Sequence, residues 1–430
     1  MLDIAILTTA AGLLGISVLD LMGRFAEYKS KRQKLSNEMA VRDMQHASVL
    51  IANQGLLKKA AIQYYTEPVL KAAGLNQYSF SVNNVPVNTA IATKPEWTNL
   101  KIPLDEIHEC PHLYHIDSPV TDFPEEHEEH ILKLLSSIEL MKLRLWENPI
   151  YRLLKVDFSQ GIVDASFAED EFIRYRFSFG LLINELADAL SNNEFSIDRV
   201  LRGADKLLPI RKSILPDGAS LINSPQRICA GGITMLFATQ WPEPYHDFAF
   251  PIQLRSDIVA DGQGMCTIIP RAFHQPMVDV VEEVVPSFSA YREIFEELYG
   301  GEEAVKDVRM VRHDWFFSDP AMAWFHDHPD SFDIMCTCFG IDMVSGNYQF
   351  GMPLVINEES YWNEFGRRIE ANWEGAKRGT KFKSSKDPAS LAQLIQSQKW
   401  TGEGSFTLIE GLKRLAAISP RKVKLPPLQF

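Results

Sequence analysis

Hydrophobic and polar positions divide the chain most sharply at its start. Residues 4–19 carry no ionisable side chain, and the segment that follows, RFAEYKSKRQK, is strongly basic. With its flanking residues, the apolar run reaches the lower end of the roughly 17 to 25 residues that a membrane-spanning helix needs. The pattern therefore predicts an apolar anchor helix over residues 1–23 that continues as a basic helical stalk over residues 24–74.

Charge around this predicted helix is asymmetric, since Asp3 precedes it and five cations follow it: Arg24, Lys29, Lys31, Arg32 and Lys34. Basic residues stay on the cytoplasmic side, which predicts an outside N-terminus and a cytoplasmic body. A cleaved export signal would have the reverse charge order. The apolar run also contains small residues that would let a second helix approach closely, namely Thr8, Ala11, Gly12 and Gly15. The alternative is a soluble protein whose first helix is buried.

Later segments show both helical and strand periodicities. Residues 78–82 alternate apolar and polar side chains before Asn83-Asn84, which predicts a hairpin. Residues 124–146 repeat apolar side chains every three or four positions and predict a strong helix. The segment FIRYRFSF, residues 172–179, has a period of two and predicts a strand. Further strands are expected in GGITMLFATQW, FPIQLRSDIV and MCTIIPRAF, and helices over 289–299, 358–373 and 406–417.

The clearest hairpin joins DIMCTCFGIDMV to YQFGMPLVI through Ser345-Gly346-Asn347. These patterns together predict an α+β fold, in which the N-terminal apolar helix continues into a long basic helix and is followed by mixed helical and antiparallel-sheet cytoplasmic domains. The predicted divisions are a mixed domain over residues 75–225, a sheet-rich domain over 226–376, and a basic helical end with an extended proline-rich tail over 377–430.

Charge and cysteine content narrow the class of protein. Residues 371–430 hold eleven Lys/Arg and four Asp/Glu, a balance of +7, so the net charge of −13 leaves −20 for residues 1–370. An acidic body argues against nonspecific binding of nucleic acid over most of the surface. Five cysteines form no regular framework, which favours a reducing compartment. The chain also lacks the common glycine-rich phosphate-binding and serine-hydrolase motifs.

Histidines are concentrated in one segment. Five of the eleven lie between residues 108 and 130, with one cysteine among them, and the possible metal ligands are His108, Cys110, His112, His115, His127 and His130. Imidazole and thiolate groups suit a tetrahedral ion such as zinc. The alternative is a polar loop whose histidines form local hydrogen bonds.

A second group of candidates consists of histidines next to aspartates: His313, Asp314, His326, Asp327 and His328. Imidazole and carboxylate groups can bind a divalent ion that activates water, so these residues are candidate catalytic groups of a metal-dependent hydrolase. The alternative is again a polar loop.

A basic segment near the C-terminal end could contact phosphate or an acidic partner through Lys377, Arg378, Lys381, Lys383 and Lys386, or it could be a solvated loop. Taken together, the sequence favours a membrane-anchored, noncatalytic subunit or scaffold of a multiprotein assembly, whose partners are other proteins and whose first helix could self-associate. The alternatives are a metal-dependent hydrolase with a divalent cofactor and a soluble protein-interaction domain protein.

Overall fold

The structure, a computed structural model, describes residues 3–34, 54–115, 128–141, 149–223, 227–255, 264–301, 314–369, 381–397 and 399–430. Over these residues the chain has a mixed α+β fold with a curled mixed sheet.

The helices of the described residues are α1 Ile4–Leu13, α2 Val18–Lys34, α3 Gln54–Tyr64, α4 Glu67–Lys71, α5 Glu128–Met141, α6 Phe172–Asn192, α7 Ile197–Arg202, α8 Ala204–Leu207, α9 Pro209–Ile214, α10 Gly218–Ile222, α11 Pro286–Glu293, α12 Pro320–Asp327, α13 Glu359–Phe365, α14 Pro388–Ile395 and α15 Gly402–Ile418. A π-helical turn, Ile294–Leu298, extends α11.

The strands of the described residues are β1 Asn76–Val82, β2 Val85–Thr93, β3 Ile102–Pro103, β4 Glu109–Tyr114, β5 Pro149–Asp157, β6 Val163–Glu171, β7 Gly231–Trp241, β8 Asp247–Leu254, β9 Cys266–Ile268, β10 Arg271–Phe273, β11 Phe332–Cys336, β12 Cys338–Asp342, β13 Tyr348–Ile356, β14 Lys381–Ser384 and β15 Leu428–Gln429.

The main sheet of the described residues has the order β14-β8-β7-β13-β12-β2-β1-β15, with β9, β10, β11 and β3 pairing off this path. Most of its pairings are antiparallel, as predicted, but β7 and β13 run parallel in register from Gly231 opposite Tyr348 to Thr239 opposite Ile356. A separate small sheet has the order β4-β6-β5. The main sheet takes strands from all three predicted divisions of the body, 75–225, 226–376 and 377–430. The sheet therefore crosses both predicted boundaries.

Helix α15 lies against the main sheet and is buried without interruption from Gly402 to Leu412. It contacts β13, β7, β2 and β9, so the curled sheet covers more than one of its faces. Glycines allow this close packing: a Cβ atom at Gly351 of β13 would lie 2.2 Å from the Sγ atom of Cys338 and 3.0 Å from the Oγ1 atom of Thr407 in α15. The burial includes polar side chains of α15, since Glu403 and Glu410 are 8% and 1% exposed and form ion pairs with Arg271 and Lys413.

The N-terminal apolar helix does not continue into the basic helix, contrary to the prediction. Helix α1 ends at Leu13, and Gly15 adopts a φ angle of +64°, a left-handed conformation that favours glycine. Helix α2 then begins at Val18 and makes an angle of 97° with α1. Among the described residues no single helix is long and apolar enough to cross a membrane, and only this bent pair passes by length and composition.

One face of α1 is packed into the protein. Five side chains of α1 are buried, namely Ile6, Leu7, Ala10, Ala11 and Leu13, and the helix contacts α6. Helix α2 is held by ion pairs to α5, from Arg24 to Glu128 and, at 2.6 Å, from the Nζ atom of Lys29 to the Oε2 atom of Glu139. Two of the cations that the charge asymmetry assigned to a membrane flank therefore bind the protein's own body.

The segment FIRYRFSF is not the predicted strand, because it forms the beginning of α6. Two faces of this helix are buried in different clusters. Ile173 and Phe177, four residues apart, belong to the main core, whereas Tyr175 and Phe179 pack with Phe273 in a smaller cluster. Two interleaved helical stripes of apolar residues produce the period of two that predicted a strand.

Several other predictions are confirmed. Strands β1 and β2 form the expected antiparallel hairpin, with Asn83 and Asn84 at positive φ angles of 51° and 63°. Strands β11 and β12 both pair with β13, and the Ser345-Gly346-Asn347 loop joins β12 to β13. The three predicted strands correspond to β7, to β8 and to the short pair β9 and β10. The helix predicted over 124–146 is present from Glu128 to Met141, with Ile131, Leu134 and Ile138 buried, while its predicted ends lie outside the described residues.

Candidate functional site

The histidine-rich segment is divided between two elements. His108, Cys110 and His112 lie in or next to β4, whereas His130 lies on α5, and His127 is outside the described residues. The Nδ1 atom of His108 is 2.7 Å from the Oδ1 atom of Asp105, and the Nε2 atom of His112 is 3.4 Å from the Oδ1 atom of Asp164.

The remaining donors of this segment also have local environments. The Sγ atom of Cys110 lies 3.9 Å from the carbonyl oxygen of Ile107, and burial lowers the pKa of His130. His115 follows β4 at the end of a described range. Among the residues whose positions the structure describes, no three or more His, Cys, Asp or Glu side chains are placed to hold a metal ion. The zinc site stays a prediction of the sequence.

The histidine and aspartate candidates near α12 do not converge in the described part of the chain. His326 and Asp327 are exposed neighbours whose Nδ1 and Oδ1 atoms are 3.4 Å apart. The ring of His328 stacks on Trp324, with centroids 4.7 Å apart. Asp314 precedes a 3₁₀ turn, and His313 lies outside the described residues. The contacts of His326 and His328 are those of a helix end, and the catalytic role predicted for these residues stays untested.

Three of the basic candidates lie at the edge of the main sheet. Lys381 and Lys383 belong to β14, which pairs with β8 and ends the sheet order, and Lys386 follows it. Lys377 and Arg378 lie outside the described residues. Lysines on an edge strand discourage pairing with further strands, so a protective role accounts for them as well as phosphate contact does.

The N-terminal helix pair leaves apolar and small residues exposed. We define the attachment face as Ile4, Thr8 and Gly12, which lie four residues apart along α1 and are all exposed; Leu19 and Met22 of α2 are exposed as well. Ile4, Leu19 and Met22 keep 66%, 80% and 46% of their surface accessible. Thr8 and Gly12 lie four residues apart on α1, and a Cβ atom added at Gly12 would meet no atom within 4 Å. Of the predicted small packing residues, Ala11 is instead 1% exposed against the protein's own core, while Gly15 lies in the turn after α1.

A buried arginine and glutamate group around the π-helical turn escaped the sequence analysis. Arg292 is 1% exposed and donates hydrogen bonds to the carbonyl oxygens of Gln275 and Phe273, at 2.8 and 3.2 Å. Glu297 accepts a hydrogen bond from the backbone N–H of Arg271 at 2.9 Å. These contacts fasten α11 and the turn to strand β10. In the sequence, the only sign of these contacts is the motif Arg-Glu-x-x-Glu-Glu at residues 292–297. A solvated helix face would have the same composition, so the motif alone does not predict a buried group.

Two buried carboxylates also escaped detection. Glu109 of β4 is 6% exposed and accepts a hydrogen bond from the backbone N–H of Ser287 in the first turn of α11, at 2.9 Å. Desolvation raises its pKa to about 7, against the ordinary value of 4.5. Glu185 of α6 accepts hydrogen bonds from the backbone N–H groups of Ile210 and Arg211, and desolvation likewise raises its pKa to about 7. Each carboxylate thus joins two parts of the core and is poised to titrate near neutral pH.

His274, by contrast, is a neutral structural residue. It is fully buried, and its two ring nitrogens lie 2.9 Å from the Tyr348 hydroxyl and 3.1 Å from the carbonyl oxygen of Val284. Burial lowers its pKa to about 3. The Nε2 atom donates to Val284 and the Nδ1 atom accepts from Tyr348, which fixes the tautomer.

The chain matches no known protein family model, and no curated protein resembles it in sequence.

Proposed function

We propose that this protein is a noncatalytic subunit of a membrane-associated multiprotein assembly, and that the attachment face binds a helix of a partner protein. The observation that carries the proposal is the two-sided character of α1. Its inner face is fastened to the core, while its outer face leaves Ile4, Thr8 and Gly12 exposed.

The dimensions of α1 favour attachment over spanning. A helix of ten residues is about 15 Å long at 1.5 Å per residue, which is half the roughly 30 Å thickness of a bilayer core. Small residues four apart on an exposed helix face let another helix approach closely, in lipid or out of it. The bulk of the chain is proposed to lie on the cytoplasmic side, in keeping with its five free cysteines, which suit a reducing compartment.

A single substitution tests the attachment face. Gly12→Leu places a bulky side chain where a partner helix would pack, and no atom within 4 Å opposes it. The matched control is Gly55→Leu in the first turn of α3, an exposed helical glycine that also has open space around it. We expect the full-length wild-type protein to sediment with membranes in an assembly larger than a monomer. Gly12→Leu should release it as a monomer with an unchanged melting temperature, whereas Gly55→Leu should not.

Two outcomes would contradict the proposal. If Gly12→Leu leaves both the assembly size and the membrane fraction unchanged, the face does not attach the protein. If the wild type is monomeric and wholly in the soluble fraction, the alternative of a soluble interaction protein replaces it.

A further inference from the structure

A cleft opens between the end of β2 and strand β5. Its volume is about 310 Å³, and an adjoining space of about 170 Å³ shares Lys94, Trp97, Lys155 and Val156 with it. The larger volume falls at the lower end of the roughly 300 to 1,000 Å³ typical of small-molecule sites. We call the two spaces together the Trp97 cleft.

Aromatic rings form the floor of the Trp97 cleft. Trp97, Phe158 and Phe339 are 6%, 6% and 0% exposed. The ring of Phe339 lies edge to face with Trp97, at 5.0 Å between centroids, and 5.6 Å from the ring of Phe158. Contacts to rigid, buried rings keep this floor in place, and the adjoining space continues inward to Leu221 and Ile341. Trp97 and Phe158 keep a small accessible area, so a ligand can make an apolar contact with these two rings, while Phe339 supports them from behind.

The rim of the Trp97 cleft is charged with both signs. Lys94 and Lys155 provide two ammonium groups, and Glu96 and Asp157 provide two carboxylates. The pairing register of β5 shifts between Leu153 and Lys155, and such bulges redirect side chains.

Two of the rim groups are held by contacts of their own. The Nζ atom of Lys94 lies 4.6 Å from the centroid of the Trp97 ring, directly above the floor. The carboxylate of Asp157 accepts a hydrogen bond from the backbone N–H of Ser159 at 2.8 Å, and this bond lowers its pKa.

Equal numbers of positive and negative groups around an aromatic floor select a particular kind of ligand. A dianion such as a phosphate monoester would be attracted by the lysines and repelled by the carboxylates. A zwitterion is attracted by both the lysines and the carboxylates. We propose that the Trp97 cleft binds a free aromatic α-amino acid, with its ring on the aromatic floor, its carboxylate at Lys94 and Lys155, and its ammonium group at Glu96 and Asp157. This binding site is independent of the attachment face.

Three related ligands separate the contributions that the carboxylate and the ammonium group of the ligand make to binding. L-Tryptophan carries both charges, tryptamine lacks the carboxylate and indole-3-propionate lacks the ammonium group. Titration calorimetry with the full-length protein should show saturable binding of L-tryptophan, with each analogue about tenfold weaker because it loses a charge-assisted hydrogen bond.

Substitution of one lysine assigns the site. Lys155→Gln should weaken the binding of L-tryptophan and indole-3-propionate by about tenfold, since these two ligands carry a carboxylate. The affinity for tryptamine, which lacks the carboxylate, should be unchanged. The control Lys206→Gln changes an exposed lysine of α8, away from the residues that line the cleft, and should alter none of the three affinities.

Circular dichroism establishes that each variant is folded. The proposal is overturned if L-tryptophan shows no saturable binding, if the three ligands bind equally, or if a folded Lys155→Gln protein binds L-tryptophan as the wild type does.

Discussion

The buried carboxylate of Glu109 should make the stability of this protein depend on pH in an unusual direction. In the folded chain desolvation raises the pKa of Glu109 to about 7, whereas in the unfolded chain it returns to about 4.5. The folded state therefore binds a proton more tightly, and the stability contributed by this group is fully present below pH 4.5. It is lost as the pH rises through 7. A difference of about 2.5 pKa units corresponds to roughly 3 kcal/mol.

The variant Glu109→Gln isolates this contribution. Glutamine keeps an acceptor oxygen for the Ser287 N–H but cannot ionise, so the variant should lose the pH dependence that belongs to Glu109. Relative to the wild type, its free energy of unfolding should rise by roughly 3 kcal/mol between pH 4.5 and pH 8. Any constant cost of fitting the amide shifts the difference equally at all pH values and does not disturb the comparison.

Urea denaturation at half-unit pH intervals measures the effect. Glu185, whose pKa is also raised to about 7, and His274, whose pKa is lowered to about 3, contribute to both proteins and cancel in the difference. Glu106→Gln removes a charge at an exposed position three residues earlier and serves as the control. A difference between Glu109→Gln and the wild type that stays constant from pH 4.5 to 8 would refute the reasoning.

Two further predictions concern packing and thiol reactivity. Gly351→Ala places a Cβ atom 2.2 Å from the Sγ atom of Cys338 and should lower the free energy of unfolding by about 1 to 3 kcal/mol, as measured by urea denaturation. The control Gly12→Ala places a Cβ atom that meets nothing within 4 Å and should not destabilise the protein. Burial raises the pKa values of Cys336 and Cys338, so iodoacetamide should label the half-buried Cys110 first and reach Cys336 and Cys338 only after unfolding, as peptide mass spectrometry would show. Equal labelling rates in the folded protein would contradict the buried positions of these thiols.

Local pattern was sufficient where an element has one buried face or a turn of defined chemistry. The β1 and β2 hairpin follows from alternation and from two asparagines that tolerate positive φ angles, and α5 follows from a single apolar stripe. The failure at residues 172–179 has the opposite cause. Because α6 buries two faces in two clusters, the apolar positions interleave, and no local rule separates that pattern from a strand.

The candidate sites depended still more on tertiary structure. Sequence clustering brought attention to His108 and His326, but neighbouring positions on a chain do not ensure that side chains converge. The Trp97 cleft unites residues near positions 94, 157 and 339, which are far apart in sequence and carry no shared motif. Glu109 has an ordinary sequence context, and only its burial against the first turn of α11 raises its pKa.

The sequence by itself determined that this chain folds, that it mixes helices with a largely antiparallel sheet, and that its first residues are apolar and its next ones basic. Only the tertiary structure decided that the apolar helix ends after ten residues and turns through 97° onto the core. Composition specifies how strongly a segment avoids water. Whether lipid or the protein's own core provides the apolar surroundings depends on surfaces that distant parts of the chain supply, here α6.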